Sequence, residues 1–238
     1  MLPVFAIAVG GVILTLTYAF ASIPLPADIK LSSSAEVYDR HGELIGVYSG
    51  EVRRFLIDTD DLLRKRPYIG EAVIAAEDRE FYDHNGVSAR GIVRAAWANL
   101  TGGEVSQGGS TITQQYVKQA VLRDPSRTVT RKAKEAILAV KLERRYSKKQ
   151  ILGFYLNTID LGRGAYGFEA AARTYFGHAH AADLTLAQAA YLAGIIPAPN
   201  SYQPDDNQEL AQARRDRVIN AMLQEGFISD SQAERAMK

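Results

Sequence analysis

Apolar and polar positions divide this chain into three stretches of different character. Leu2 to Ile23 is almost unbrokenly apolar, and Met1 to Ala27 carries no charged side chain. A helix across the hydrocarbon layer takes about 20 residues, whereas the apolar part of a cleaved signal peptide takes about 7–15. The first stretch therefore predicts one N-terminal transmembrane helix, stopped by Pro24 and Pro26. Glu36 to Tyr48 places Val, Tyr, Leu and Ile on both sides of Asp39-Arg40-His41-Gly42, the pattern of a β-hairpin. Phe55 to Ile57 is a candidate third strand.

Beyond Pro67 the apolar spacing becomes three to four residues, the period of a helix packed on one face. Ile69, Val73 and Ile74 predict a helix continuing to Phe81. Further helices are predicted over Ser88 to Leu100, Thr111 to Leu122, Thr130 to Arg145, Ser147 to Leu156, Ala170 to Tyr175, Thr185 to just before Pro197, and Ala211 to Glu225. Ser147/Gln150, Thr185/Gln188 and Ser229/Gln232 have capping-box spacing, and the last predicts a terminal helix. The expected fold is mainly α, with a short N-terminal hairpin and the transmembrane helix. Its expected parts are an anchor over 1–27, a linker and hairpin over 28–66, and a catalytic body over 67–238.

Composition narrows this little. The 238 residues suffice for one substantial domain. Net charge is +1, which gives no polyanion-binding signal, so no nucleic-acid partner is expected. The absence of Cys excludes disulfides, a thiol nucleophile and thiolate metal sites. No GxGxxG or GxxxxGK[ST] pattern supports a nucleotide fold.

The chemistry concentrates between Ile74 and Gln115. Glu77 follows Ile74-Ala75-Ala76, where partial burial would raise its carboxyl towards a useful acid or base. Asp78 points about 100° away on a helix and suits a supporting role. Gly108-Gly109 permits close backbone approach, and the helix start after it would present backbone N–H groups. Ser110, Thr111, Gln114 and Gln115 offer polar groups for sugar hydroxyls or phosphate oxygens, and Lys118 a charge for phosphate. Read blandly, the first half is a solvated helix end and the second a well-capped helix after a loop. Arg131 and Glu135 share a helix face at i,i+4, as a surface pair or as a phosphate contact with its orienting carboxylate. Lys132 and Lys134 are expected to face solvent or lipid headgroups. Lys141, Arg144, Arg145, Lys148 and Lys149 form a positive stretch suited to an anionic surface.

The ordered set resembles the glycosyltransferase (transglycosylase) domain of bacterial class A penicillin-binding proteins. The carrying stretches are Glu77-Asp-Arg-Glu-Phe-Tyr-Asp-His-Asn-Gly86, Gly108-Gly-Ser-Thr-Ile-Thr-Gln-Gln115 with Lys118, and Arg131-Lys-Ala-Lys-Glu135. Lys149 to Asn157, Gly164-Ala-Tyr-Gly167 and Tyr175-Phe-Gly177 continue it. Gly153 and Gln119 depart from the usual Glu and Asn, and Gly153 is expected to loosen its helix. The resemblance implies a lysozyme-like helical domain with a small membrane-proximal lobe. It implies polymerisation of lipid II onto a lipid-linked growing glycan, with inversion and release of undecaprenyl pyrophosphate.

In that scheme Glu77 is the catalytic base, and Glu135 is catalytic or helps hold a Mg²⁺ or Mn²⁺ ion. Asp78, Arg79, Ser110, Thr111, Gln114, Gln115, Lys118, Arg131 and Asn157 form the substrate-binding set, Asn157 by ordering the cleft or interlobe contacts. Phe81, His84, Gly86 and Gly109 are structural. The implied setting is the outer face of the bacterial cytoplasmic membrane, single-pass, with residues around Ala98 to Val105 resting on the bilayer. The implied partners are cell-wall synthesis proteins and a transpeptidase domain outside this chain, since no Ser-x-x-Lys or Lys-Thr-Gly is present. The alternatives are a lysozyme-like hydrolase or lytic transglycosylase, and a non-catalytic scaffold.

Overall fold

The computed structural model describes residues 18, 20–27, 29–50, 52–93, 109–124, 126, 128–177, 180–202 and 207–238. An antiparallel hairpin comes first, β1 (Ala35–Tyr38) with β2 (Leu44–Tyr48). Asp39 Oδ1 closes its turn by accepting from His41 N and Glu43 N at 2.7 and 2.8 Å. Helices follow: α1 (Thr59–Lys65), α2 (Pro67–Glu77), α3 (Ile112–Tyr116), which runs on as a π-helix (Val117–Leu122), α4 (Val129–Arg145) and α5 (Lys148–Leu156). Then come α6 (Phe168–Phe176), α7 (Leu186–Ile195), α8 (Gln208–Gln224) and α9 (Asp230–Met237).

The capping boxes act locally. Ser147 N and Thr185 N donate to Gln150 Oε1 and Gln188 Oε1 at 3.0 and 2.9 Å, and both hydroxyls accept the return bond. Ser229 N donates to Gln232 Oε1 at 2.9 Å. α7 lies deepest, with every residue from Ala189 to Ile195 buried, and it packs against α8 and α2. Gly194 allows that approach, because a Cβ there would stand 2.9 Å from Arg214 O. Ile69, Phe81, Ile112, Leu138, Tyr155 and Phe168 fill the rest of the core.

Several expectations are corrected. Among the described residues no helix is long and apolar enough to cross a membrane, so the transmembrane helix and the single-pass placement built on it are withdrawn. Most of Leu2 to Ile23 lies outside the described residues. Of that stretch, Tyr18 and Phe20–Ser22 are described as helical. The segment around Ala98 to Val105 and most of the helix expected to reach Leu100 also lie outside the described residues; 89–93 is helical.

Phe55 to Ile57 adds no strand to the hairpin, whose sheet has two strands. Arg53 instead forms an isolated bridge with Ala165. α1 was not anticipated, since its seven residues bury only Leu62, too little for a periodic signal; Asp58 caps it through Asp60 N and Asp61 N. Gly153 has a packing role in α5: it is buried, and a Cβ there would overlap Thr59 Oγ1, so the glycine lets α5 and α1 touch. Part of the positive stretch is engaged with other groups of the protein. Lys141 and Arg144 lie 4.7 and 4.9 Å from the Phe20 ring, Arg145 donates to Ala27 O, and Lys148 pairs with Glu143.

Candidate active site

The site begins where α2 stops. The predicted continuation to Phe81 fails at Asp78, whose backbone turns extended at φ −158°. Its carboxylate faces the protein interior, where Oδ2 accepts from Ile112 N and His84 Nε2, both at 3.0 Å. Gly86 N donates to His84 Nδ1 at 3.2 Å, so the proton sits on Nε2 and points at Asp78. Gly86 has φ +89°, and a Cβ would meet Ala139 C at 2.7 Å, so only glycine fits. Asp78, His84 and Gly86 thus pin the loop after α2 against α3 and α4, with Phe81 fully buried beneath.

That arrangement leaves Glu77 as the last residue of α2, 8% exposed, at the wall of a cavity of about 800 Å³. Burial pushes its carboxyl up to about 7. A hydrogen bond from Gln115 and the more distant charge of Arg214 oppose this, while the negative charge of Asp78 adds to it. The helix C-terminus, with its partial negative charge, acts in the same direction as burial. Gln115 Nε2 donates to Glu77 Oε2 at 2.6 Å, and Tyr155 OH donates to Gln115 Oε1 at 2.7 Å.

Several cations line the same cavity. Lys118 projects from the π-helix and Arg131 and Lys132 from α4, while Arg214 and Arg217 come from α8 and Arg79 from the loop after α2. Glu135, 2% exposed, lies among them. Arg131 pairs with its Oε1 and Lys132 Nζ is 3.1 Å from its Oε2. Lys132 also donates to Ser110 Oγ at 2.6 Å. Burial, with Arg131 and Lys118 nearby, lowers the Lys132 ammonium. Lys132 thus keeps part of its side chain in solvent, as expected, while its ammonium reaches Glu135. Arg79 is held by Gln224 Oε1 at 3.2 Å and lies 3.5 Å from Glu225.

Not every residue of the expected substrate set reaches the cavity. Glu77, Arg79, Ser110, Gln114, Gln115, Lys118, Arg131 and Glu135 line it. Thr111 is buried as the cap of α3, donating to Gly86 O at 2.7 Å and accepting from Gln114 N at 3.1 Å. Asn157 binds the backbone of Ile57 through both ends of its amide, at 3.1 Å each, and so ties α5 to the segment before α1. Gly109 lies in a bend ahead of Ser110, and Gly108 is outside the described residues.

The backbone N–H groups expected to meet a ligand are engaged internally. Thr111 N goes to Gln114 Oε1, Ile112 N to Asp78 and Gln114 N to Thr111. The positive potential of the cavity is therefore a matter of side chains. Arg214 and Arg217 were missed, although two arginines one helical turn apart share a face. Tyr202 positions Arg214, by a hydrogen bond and by its ring 4.0 Å away.

Among the described residues no three His, Cys, Asp or Glu side chains come together, and Glu135, the expected ligand, is closed off by Arg131 and Lys132. The arrangement can do two things: remove a proton at a carboxylate raised to about 7, and receive an anion of high charge in the same cavity.

A family model described as "Transglycosylase" matches residues 41–223. The chain belongs to the transglycosylase family. It is an enzyme of that glycosyltransferase class. The transglycosylase domain is 42% identical to penicillin-binding protein 1A of Neisseria flavescens, over 100% of this chain and 29% of that protein. It is also 42% identical to penicillin-binding protein 1A of Aquifex aeolicus (strain VF5), over 95% of this chain and 31% of that protein. The chain thus spans under a third of the curated relatives it matches. A crystal structure of penicillin-binding protein 1A from Haemophilus influenzae aligns at a TM-score of 0.47 and 23% identity, covering 88% of this chain and 21% of that one.

Proposed function

We propose that this transglycosylase domain polymerises lipid II into β-1,4-linked glycan. Glu77 takes the proton from the 4-hydroxyl of the acceptor sugar. The oxygen forms its bond to the donor anomeric carbon as the bond from that carbon to pyrophosphate breaks, with inversion. Undecaprenyl pyrophosphate leaves with the electron pair, and the proton remains on Glu77 for return to solvent. The observation that carries the reading is the pairing, in one cavity, of a buried carboxyl raised to about 7 with a wall of cations. A hydroxyl is a weak nucleophile and needs a base in the transition state. A departing pyrophosphate concentrates negative charge, which Lys118, Arg131 and Lys132 would meet. A glycan-cleaving site has no such leaving group and no use for that wall. The membrane enters as the source of both lipid-linked substrates.

Incubation with lipid II tests this directly: polymer and undecaprenyl pyrophosphate are expected, and fragmentation of preformed glycan without polymerisation would overturn it. Lys118→Ala is expected to lower kcat about 10²–10³-fold, the range for one lost transition-state donor. Any Mg²⁺ or Mn²⁺ is assigned to the pyrophosphate oxygens, not to Glu135. EDTA treatment of the substrate-free protein should accordingly leave its thermal midpoint unchanged, and a fall would return a protein-held metal.

A further inference from the structure

Glu77 is linked through one intermediary to a tyrosine of the core. Tyr155 lies on α5, fully buried, and its hydroxyl donates to Gln115 Oε1 at 2.7 Å. Burial raises the Tyr155 phenol well above its usual value, so it stays protonated and able to donate. A carboxamide has one accepting end and one donating end. With Tyr155 donating to Oε1, the NH₂ end of Gln115 is turned to Glu77, 2.6 Å from Oε2. Both ends of this amide are engaged within the protein, although Gln115 lines the cavity.

We propose that Tyr155 and Gln115 are positioning residues for Glu77, together orienting its carboxylate so that Oε2 is held and Oε1 is presented to the acceptor hydroxyl. This rests on Glu77 acting as the base. The orientation of the amide matters because it favours one protonation state. An NH₂ group facing Oε2 supports the ionised carboxylate. Once Glu77 holds the acceptor's proton on Oε1, Oε2 still accepts from Nε2, but as a neutral carbonyl and more weakly. By anchoring this orientation, Tyr155 keeps Glu77 ready for the next proton. The charges around Glu77 do not do this in its place. Asp78 disfavours ionisation, and Arg214, reaching in from α8, favours it without touching the carboxylate in the way Gln115 does.

The test uses Tyr155→Phe, which keeps the ring and its packing and removes only the hydroxyl, together with Gln115→Ala. Two quantities are read. One is the titration of the Glu77 carboxyl in the substrate-free protein, by carbon NMR of labelled glutamate with Glu77→Gln as reference. The other is kcat and KM for lipid II against pH. In both variants the titration and the acid limb of kcat are expected to move to higher pH. kcat should fall about tenfold or more, the worth of a hydrogen bond to a charged group, with KM changed by less than about twofold. A Tyr155→Phe protein with the wild-type titration and rate profile overturns the proposal. So does a Gln115→Ala protein in which KM alone rises, since that assigns Gln115 to substrate binding. The titration needs no substrate, so failure of the base reading, seen as wild-type turnover by Glu77→Gln, is distinguishable from failure of the positioning role.

Discussion

Glu77 and Glu135 are both buried carboxylates on the wall of one cavity, and their surroundings make them opposites. Glu77 ends α2 with an amide on one oxygen, and burial lifts its carboxyl to about 7. Glu135 lies mid-way along α4, clasped by Arg131 and Lys132. Burial without a contacting cation produces a group that exchanges a proton near neutral pH, whereas Glu135 is buried in contact with two cations. The second arrangement also holds the cations in place. Arg131 and Lys132 each face Glu135, so they are ordered before any phosphate arrives and lose little side-chain entropy on meeting one. On this view Glu135 serves catalysis by organising its neighbours.

The sharpest way to break the comparison is Glu77→Gln. It preserves shape and removes the base, and kcat is expected to fall about 10²–10⁴-fold with the fold intact; polymerisation near the wild-type rate would end the base assignment. Glu135→Gln should act mainly on stability. Removing one member of a buried ionic cluster costs about 3–5 kcal/mol, and the half-exposed Lys132 places this case at the lower end. A shift of the urea midpoint measures it, and an unchanged midpoint would show that Glu135 does not hold the cluster.

The smallest effect is a pH dependence. The Glu77 carboxyl lies above its unfolded value of 4.5, so the folded protein binds that proton more tightly. Its contribution to stability is full below 4.5 and is lost as pH rises through about 7. Glu77→Gln should therefore be more stable than wild type at pH 8, relative to their difference at pH 4, by on the order of 1–3 kcal/mol. Parallel thermal midpoints across that range would remove the contrast with Glu135.

Much of this was legible along the chain because it is local. The hairpin and the capping boxes at Ser147, Thr185 and Ser229 depend on residues two to four apart, and they form where the pattern places them. Glu77, Lys118, Arg131 and Glu135 could be singled out because their residue types sit in a recognisable order. Direction was harder to read. Lys132 has the composition of a surface residue and stays partly in solvent, yet its ammonium meets Glu135 and Ser110, which lie within reach of its flexible stem. Thr111 has the composition of a ligand-binding residue, yet it caps a helix. Gly153 carries no side chain to signal its role, which is to let Thr59 of α1 approach α5.

By itself, then, the sequence determined the helical body, the order of its motifs and the identity of the acidic and basic groups, since these follow from neighbours on the chain. The tertiary structure alone decided that Glu77 meets Gln115 and, through it, Tyr155, with Arg214 brought in beside the Gly194 contact. Those partners lie tens of residues away. Which end of an amide faces a carboxylate, and how far water is kept from it, depend on packing between helices that no spacing along one of them can express.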